Sequence, residues 1–179
     1  MSTRVVLDGP VYVHYGQFYV ESGTEHADME KCFAGQENGL CGAASPGVLF
    51  CVTGLHTGSV RLTVEVCDGE PELDDRWEDV VEVSFRPSGA AQVTGWCGEW
   101  GHDLDLAECD YRVRYSARDM DAGGQRDTSR DDEDDDCEDC TVDAYLLQFW
   151  PAPKADDVVV RQTSDTAAYW HGVSWTPSP

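Results

Sequence analysis

The stretch "VRLTVEV", Val60–Val66, places an aliphatic side chain at every second position. Val60, Leu62, Val64 and Val66 fall on one face, and Arg61, Thr63 and Glu65 on the other. That repeat belongs to an extended strand, whose successive side chains point to opposite faces; a helix needs apolar residues three and four apart. The pattern recurs in "VVEVSF", with Val81, Val83 and Phe85 set against Glu82 and Ser84. It recurs again in "DYRVRYSA", with Tyr111, Val113, Tyr115 and Ala117 set against Arg112, Arg114 and Ser116. These segments read as half-buried antiparallel strands, one face on a core and the other in water. The outward arginines then pair with glutamates across neighbouring strands, a plainer reading than a basic binding surface.

Further strands are expected at "VYVHYGQFYV" (Val11–Val20), "GVLFCVT" (Gly47–Thr53), "AQVTGWC" (Ala91–Cys97) and "VDAYLLQFW" (Val142–Trp150), with short ones near "DLDL" and "DVVVRQ". Turn-forming clusters separate them: "TGLHTGS", "DGEPELDD", "RPSGAA" and "MDAGGQRD". The predicted fold is all-β, an antiparallel β-sandwich with one or two short helices. The helices are expected within "EHADMEKCFAGQ" (Glu25–Gln36) and in "SDTAAYWHG", where Ser164 stands as an N-cap. The sandwich is expected over residues 1–152, with an acidic loop insertion at about 119–141. Residues 153–179 form a C-terminal extension that packs on that domain or trails from it.

Charge narrows the function. The 179 residues carry 35 acidic and 12 basic side chains, a net charge of −23. Setting aside the eight acidic residues between Asp131 and Asp139 still leaves 27 acidic side chains against 12, so acidity belongs to the whole surface. Such a chain is repelled by nucleic acid and anionic membranes and drawn to basic proteins and cations. A DNA reader or a phosphate-binding enzyme does not fit. No segment reaches the roughly 20 apolar residues of a membrane span, and the start "MSTRVVLDGP" does not resemble a signal peptide. The expected location is cytoplasmic, where the eight cysteines are expected to be free thiols. Cys51 in "LFCVT" and Cys67 at the end of "VRLTVEVC" read as small buried hydrophobes.

Catalytic motifs are missing from the sequence: there is no G-x-S-x-G, no P-loop, no G-x-G-x-x-G and no H-E-x-x-H. His14, His26, His56, His102 and His171 are scattered, with no pair at metal-ligand spacing. The chain is therefore read as no enzyme, with no catalytic residue and no cofactor. Cys137 and Cys140 have the C-x-x-C spacing that lets two thiolates share a zinc ion, the one metal alternative. The carboxylates around them lack the central glycine of an EF-hand loop. The run Asp131, Asp132, Glu133, Asp134, Asp135 and Asp136 has two readings: a solvated hairpin tip, or a polyanion placed to occupy a basic cleft.

A family resemblance joins several of these segments. Tyr15, Gln17 and Phe18 form a Y-x-Q-F core in the opening aromatic strand. Asp105, Leu106, Asp110, Tyr111, Arg112 and Val113 form a D-L-x-x-x-D-Y-x-V stretch, and Asp143, Ala144 and Tyr145 open a final strand. Over roughly residues 5–152 this pattern resembles the competence protein J (ComJ) family, small cytoplasmic proteins that inhibit a DNA-entry nuclease. The chain departs from it in the acidic insertion, in its many cysteines and in the extension "VVVRQTSDTAAYWHGVSW". The resemblance implies a non-enzymatic acidic inhibitor or immunity-type partner of a basic protein such as a nuclease or toxin, touching neither nucleic acid nor membrane. Anchors for such a contact are sought among Trp96, Trp100, Tyr169, Trp170 and Trp175. The alternative is a metal-dependent small-molecule or carbohydrate-binding sandwich module with ligands from the acidic loops.

Overall fold

A computed structural model describes residues 1–128, 140–173 and 175. Two sheets face each other. The larger has six strands in the order β1 (Thr3–Val13), β5 (Gly58–Cys67), β10 (Ala144–Pro151), β9 (Tyr111–Arg118), β6 (Asp79–Phe85) and β11 (Val158–Arg161). The smaller has five, in the order β3 (Cys41–Gly42), β4 (Val48–Val52), β2 (Gln17–Ser22), β7 (Ala91–Thr94) and β8 (Gly101–Asp103). All neighbours pair antiparallel except β5 and β10, which run parallel. Three short helices accompany them: α1 (Met29–Phe33), α2 (Met120–Thr128) and α3 (Asp165–Gly172). The sandwich predicted from the alternating pattern is the fold of the chain.

The alternation does what it predicts on the inner faces. Val60, Leu62 and Val64 of β5 and Val81 and Val83 of β6 are buried, facing Phe18 and Val20 of β2. Each such side chain removed from water contributes about 1.5–3 kcal/mol. The outer face of the large sheet differs from expectation. Arg112 and Arg114 are only 8% and 4% exposed, because flanking loops cover the centre of the sheet. Arg112 donates to Ser84 Oγ and to the carbonyls of Ala155 and Asp156. Arg114 donates to Glu82 Oε1 and the Pro71 carbonyl, and lies 5.3 Å from the centroid of the Trp150 ring. Guanidinium groups tolerate burial when their donors are this fully used.

Two local expectations are corrected. Val11–Val20 is not one strand: the chain reverses at Tyr15 and Gly16, with φ of 59° and 63°, and passes from β1 in one sheet to β2 in the other. "MDAGGQRD" is not a turn but most of α2. Gly123 serves packing, since a Cβ there would lie 2.7 Å from the Asp143 carboxylate. The helix expected within Glu25–Gln36 is a single short one, capped by Asp28 Oδ1 accepting from Lys31 N at 3.0 Å. Ser164 caps α3 as predicted, accepting from Ala167 N at 3.0 Å.

The start of α3 is held by carboxylates. Asp121 accepts from the amides of Asp165 and Thr166 and from the Thr166 hydroxyl. Burial works against its ionisation, but these bonds outweigh it and lower its pKa. Buried Asp79 accepts from Thr163 N and Ser164 N. At the other end, His171 Nδ1 accepts from Gly39 N at 2.9 Å. Burial pulls the His171 pKa below its ordinary value of 6.5, against an opposing pull from the carboxylates of Asp79 and Asp157. A histidine held neutral contributes stability that is complete above the unfolded value and is lost as pH falls through it. Urea midpoints should therefore drop between pH 7.5 and pH 5.5, and the drop should shrink in His171→Gln, which keeps an acceptor for Gly39 but does not titrate. An unchanged slope in the variant would remove His171 from the account.

Candidate functional site

Three loops meet at one end of the sandwich, and backbone hydrogen bonds lock them together. Gly16 N donates to the His56 carbonyl at 2.6 Å, and Thr53 N donates to the Gly16 carbonyl at 2.9 Å. The 53–57 loop is held from beneath by a buried carboxylate. Leu55 N donates to Asp143 Oδ2 at 3.0 Å, and the Tyr145 hydroxyl donates to the same oxygen. Gly54 N in turn donates to the Tyr145 hydroxyl oxygen at 2.7 Å. Tyr115 stacks on Tyr145 with centroids 5.7 Å apart and donates to the Val52 carbonyl at 2.8 Å. Burial, together with the Asp143 carboxylate, pushes the Tyr145 phenol well above its usual pKa, so it stays a donor.

The third loop follows β7. A 3-10 turn at Trp96–Gly98 holds Cys97 at a φ of 52°. Trp100 Nε1 donates to the Tyr12 carbonyl at 2.8 Å, tying this loop to β1. Gly95 permits that approach, since a Cβ there would lie 2.3 Å from Trp100 Nε1.

These loops present a continuous surface of rings. Tyr12 and His14 have centroids 4.9 Å apart, His14 and Trp96 5.4 Å, Trp96 and Tyr15 5.4 Å, and Tyr15 and His56 5.5 Å. Glu99 Oε2 accepts from His14 Nε2 at 2.9 Å. Tyr12 is 42% exposed and Tyr15 58%. Left-handed backbone at two non-glycine residues, Tyr15 and Cys97, in one surface patch is the kind of strain that gathers at functional sites. Exposed, rigidly mounted aromatic rings are the usual anchors of protein interfaces.

The residues singled out from sequence divide. Asp131–Asp136 and Cys137 lie outside the described residues. Their flanks are described: α2 packs on the 53–57 loop, where a Cβ on Gly54 would lie 2.2 Å from the Met120 carbonyl, and Arg126 Nη1 donates to the Cys140 carbonyl at 2.7 Å. These described flanks, α2 and residues 140–143, lie at the aromatic end. Cys140 is disulfide-bonded, a correction to the expectation that all eight cysteines are free. Cys32, Cys41, Cys51, Cys67, Cys97 and Cys109 are free. Among the described residues no three His, Cys, Asp or Glu converge as metal ligands.

Of the five proposed anchors, Trp96 is in the ring surface and Trp100 supports it. Trp170 packs against the core, Trp175 stacks on Phe33, and Tyr169 is exposed elsewhere, on α3. Tyr12, His14, Tyr15 and His56 were not read as site residues. The tyrosine–glycine step in "HYGQ" was the available signal, since it marks a turn carrying an aromatic. The residues that carry the family resemblance serve mainly as supports: Phe18 is core, Tyr111 accepts from Ala107 N at 3.1 Å, and Asp143 and Tyr145 hold the loop.

Fold and surface together define an acidic two-sheet sandwich with an aromatic end. In fold the chain is similar to ComJ, inhibitor of the DNA degrading activity of NucA, from Bacillus subtilis, with a TM-score of 0.55 and 14% identity, over 85% of this chain and 100% of that one. It is also similar to the protein described as Crocagin biosynthetic gene J, with a TM-score of 0.50 and 11% identity, over 86% of this chain and 100% of that one. No family model and no curated protein sequence matches the chain. The resemblance read from its strand pattern therefore holds at the level of fold.

Replacing Tyr145 by Phe should leave Gly54 N without its acceptor, at a cost of about 1–3 kcal/mol. Amide exchange at Gly54 and Leu55 should quicken well before global unfolding does. Exchange that stays at wild-type rates at both positions would show that the loop is held by something else.

Proposed function

We propose that this chain is a non-enzymatic inhibitor that binds a basic protein, a nuclease in the first instance, through its aromatic end. The observation that carries the reading is a juxtaposition: a preorganised surface of exposed rings sits at the end of the sandwich that holds α2 and residues 140–143. A nuclease cleft is basic because it must hold a polyphosphate. A compact anion reaches such a cleft with association rates raised by about ten- to a thousandfold, while rings buried on contact set the lifetime of the complex. The likeness to ComJ, inhibitor of the DNA degrading activity of NucA, supports the same role here. In this reading Asp131–Asp136 steer, Trp96 and Tyr15 anchor, and residues 153–179 belong to the same working body.

The test uses a panel of cationic DNA-degrading nucleases, NucA among them, assayed at low and high salt. Stoichiometric protein should inhibit at least one, with affinity falling as salt rises. Trp96→Ala and Tyr15→Ala should each raise Kd by about ten- to a hundredfold, mostly through faster dissociation. Replacing Asp131, Asp132, Asp134, Asp135 and Asp136 by Asn should instead slow association. Neither binding nor inhibition with any member of the panel at low salt would defeat the proposal.

A further inference from the structure

Cys41 and Cys51 face each other across the edge of the five-stranded sheet. They are register partners of β3 and β4, with sulfur atoms 3.9 Å apart. Val52 N donates to the Leu40 carbonyl at 2.9 Å, while Cys41 N turns to Asn38 Oδ1 at 2.8 Å. The cysteines therefore occupy a non-hydrogen-bonded position, where antiparallel backbones stand about 4.5 Å apart at Cα. That spacing falls within the range a disulfide spans, and a modest side-chain rotation brings the sulfurs to bonding distance, about 2.05 Å.

We infer that this pair is a site of covalent modification: a low-molecular-weight disulfide such as oxidised glutathione converts it to a cross-strand disulfide. One cysteine thiolate attacks a sulfur of the reagent, forming a mixed disulfide and expelling one small thiolate. The second cysteine then attacks the mixed disulfide, forming the Cys41–Cys51 bond and expelling the other. The two protons lost by the cysteines end on the two departing thiols, so the protein is oxidised by two electrons and the reagent reduced by two.

Burial sets the pace. Both side chains are fully buried, and burial with the neighbouring Cys41 and Cys32 thiols pushes the Cys51 pKa well above its ordinary value. The closed fold is therefore slow to react. Access comes through the edge: β3 is two residues long, and an edge strand of that length opens locally at far lower cost than the whole domain. A third thiol stands close by. A Cβ on Gly42 would lie 2.9 Å from Cys32 Cβ, and burial raises the Cys32 pKa to about 11. Cys32 is the competitor that a test must separate. Once formed, the bond fastens β3, and α1 packed on it, to β4, the strand that leads into the 53–57 loop.

The experiment is done on the full chain carrying Cys97→Ser and Cys109→Ser, which removes the exposed thiol and the half-buried one. The protein is incubated with oxidised glutathione under native conditions, quenched by alkylation and mapped by peptide mass spectrometry. A Cys41–Cys51 link should accumulate over hours, with Cys32 alkylated only after unfolding. The oxidised form should melt higher by roughly 5 °C. Adding Cys51→Ala should abolish the link. A Cys32–Cys41 link, a stable glutathione adduct, or both thiols still reduced after days would overturn the inference, as would a lower Tm in the linked protein.

Discussion

One buried carboxylate organises the end of this molecule. Asp143 lies just ahead of β10, fully enclosed, and gathers an amide from Leu55 and a hydroxyl from Tyr145. A carboxyl group removed from water is costly unless it is hydrogen-bonded, and both donors converge on Asp143 Oδ2. Gly123 must lack a side chain for α2 to pass it, and the 53–57 loop must present its amides inward. Once that loop is fixed, the Gly16 turn is fixed through two backbone hydrogen bonds. The exposed position of Tyr15 follows from a carboxyl group buried beneath the loop.

The same principle governs the outer face of the large sheet. Arg112 and Arg114, read from the sequence as partners of glutamates across the strands, are held by Glu82, backbone carbonyls and the Trp150 ring. They are two of the 12 basic side chains, and the acidic Asp79 and Asp143 are buried as well. Buried charge of either sign serves architecture here, and the described surface keeps the acidic excess that the composition sets. At the far end from the rings, an open groove of about 440 Å³ is lined by Arg86, Lys154 and Asp110, with Arg86 paired to Asp110 at 3.3 Å.

How much of this was legible in the sequence depends on range. Strand alternation is local, so "VRLTVEV" and "DYRVRYSA" announced the inner faces, and Ser164 announced its helix. Contacts between distant segments were not legible. The burial of Arg112 depends on loop carbonyls more than forty residues away, and α2 passes Asp143 closely because Gly123 has no side chain. The ring surface draws on three separated loops, so only Trp96 was seen among the candidates. The sandwich reading and the likeness to ComJ stood together because both rest on the same strand series.

The central claim is that the aromatic end is the contact surface. Hydrogen–deuterium exchange of the chain, alone and saturated with an inhibited cationic nuclease, tests it most directly. The account predicts protection concentrated in residues 12–17, 53–57 and 95–100. Protection confined to the opposite end, around residues 43–48 and 84–88, would contradict it.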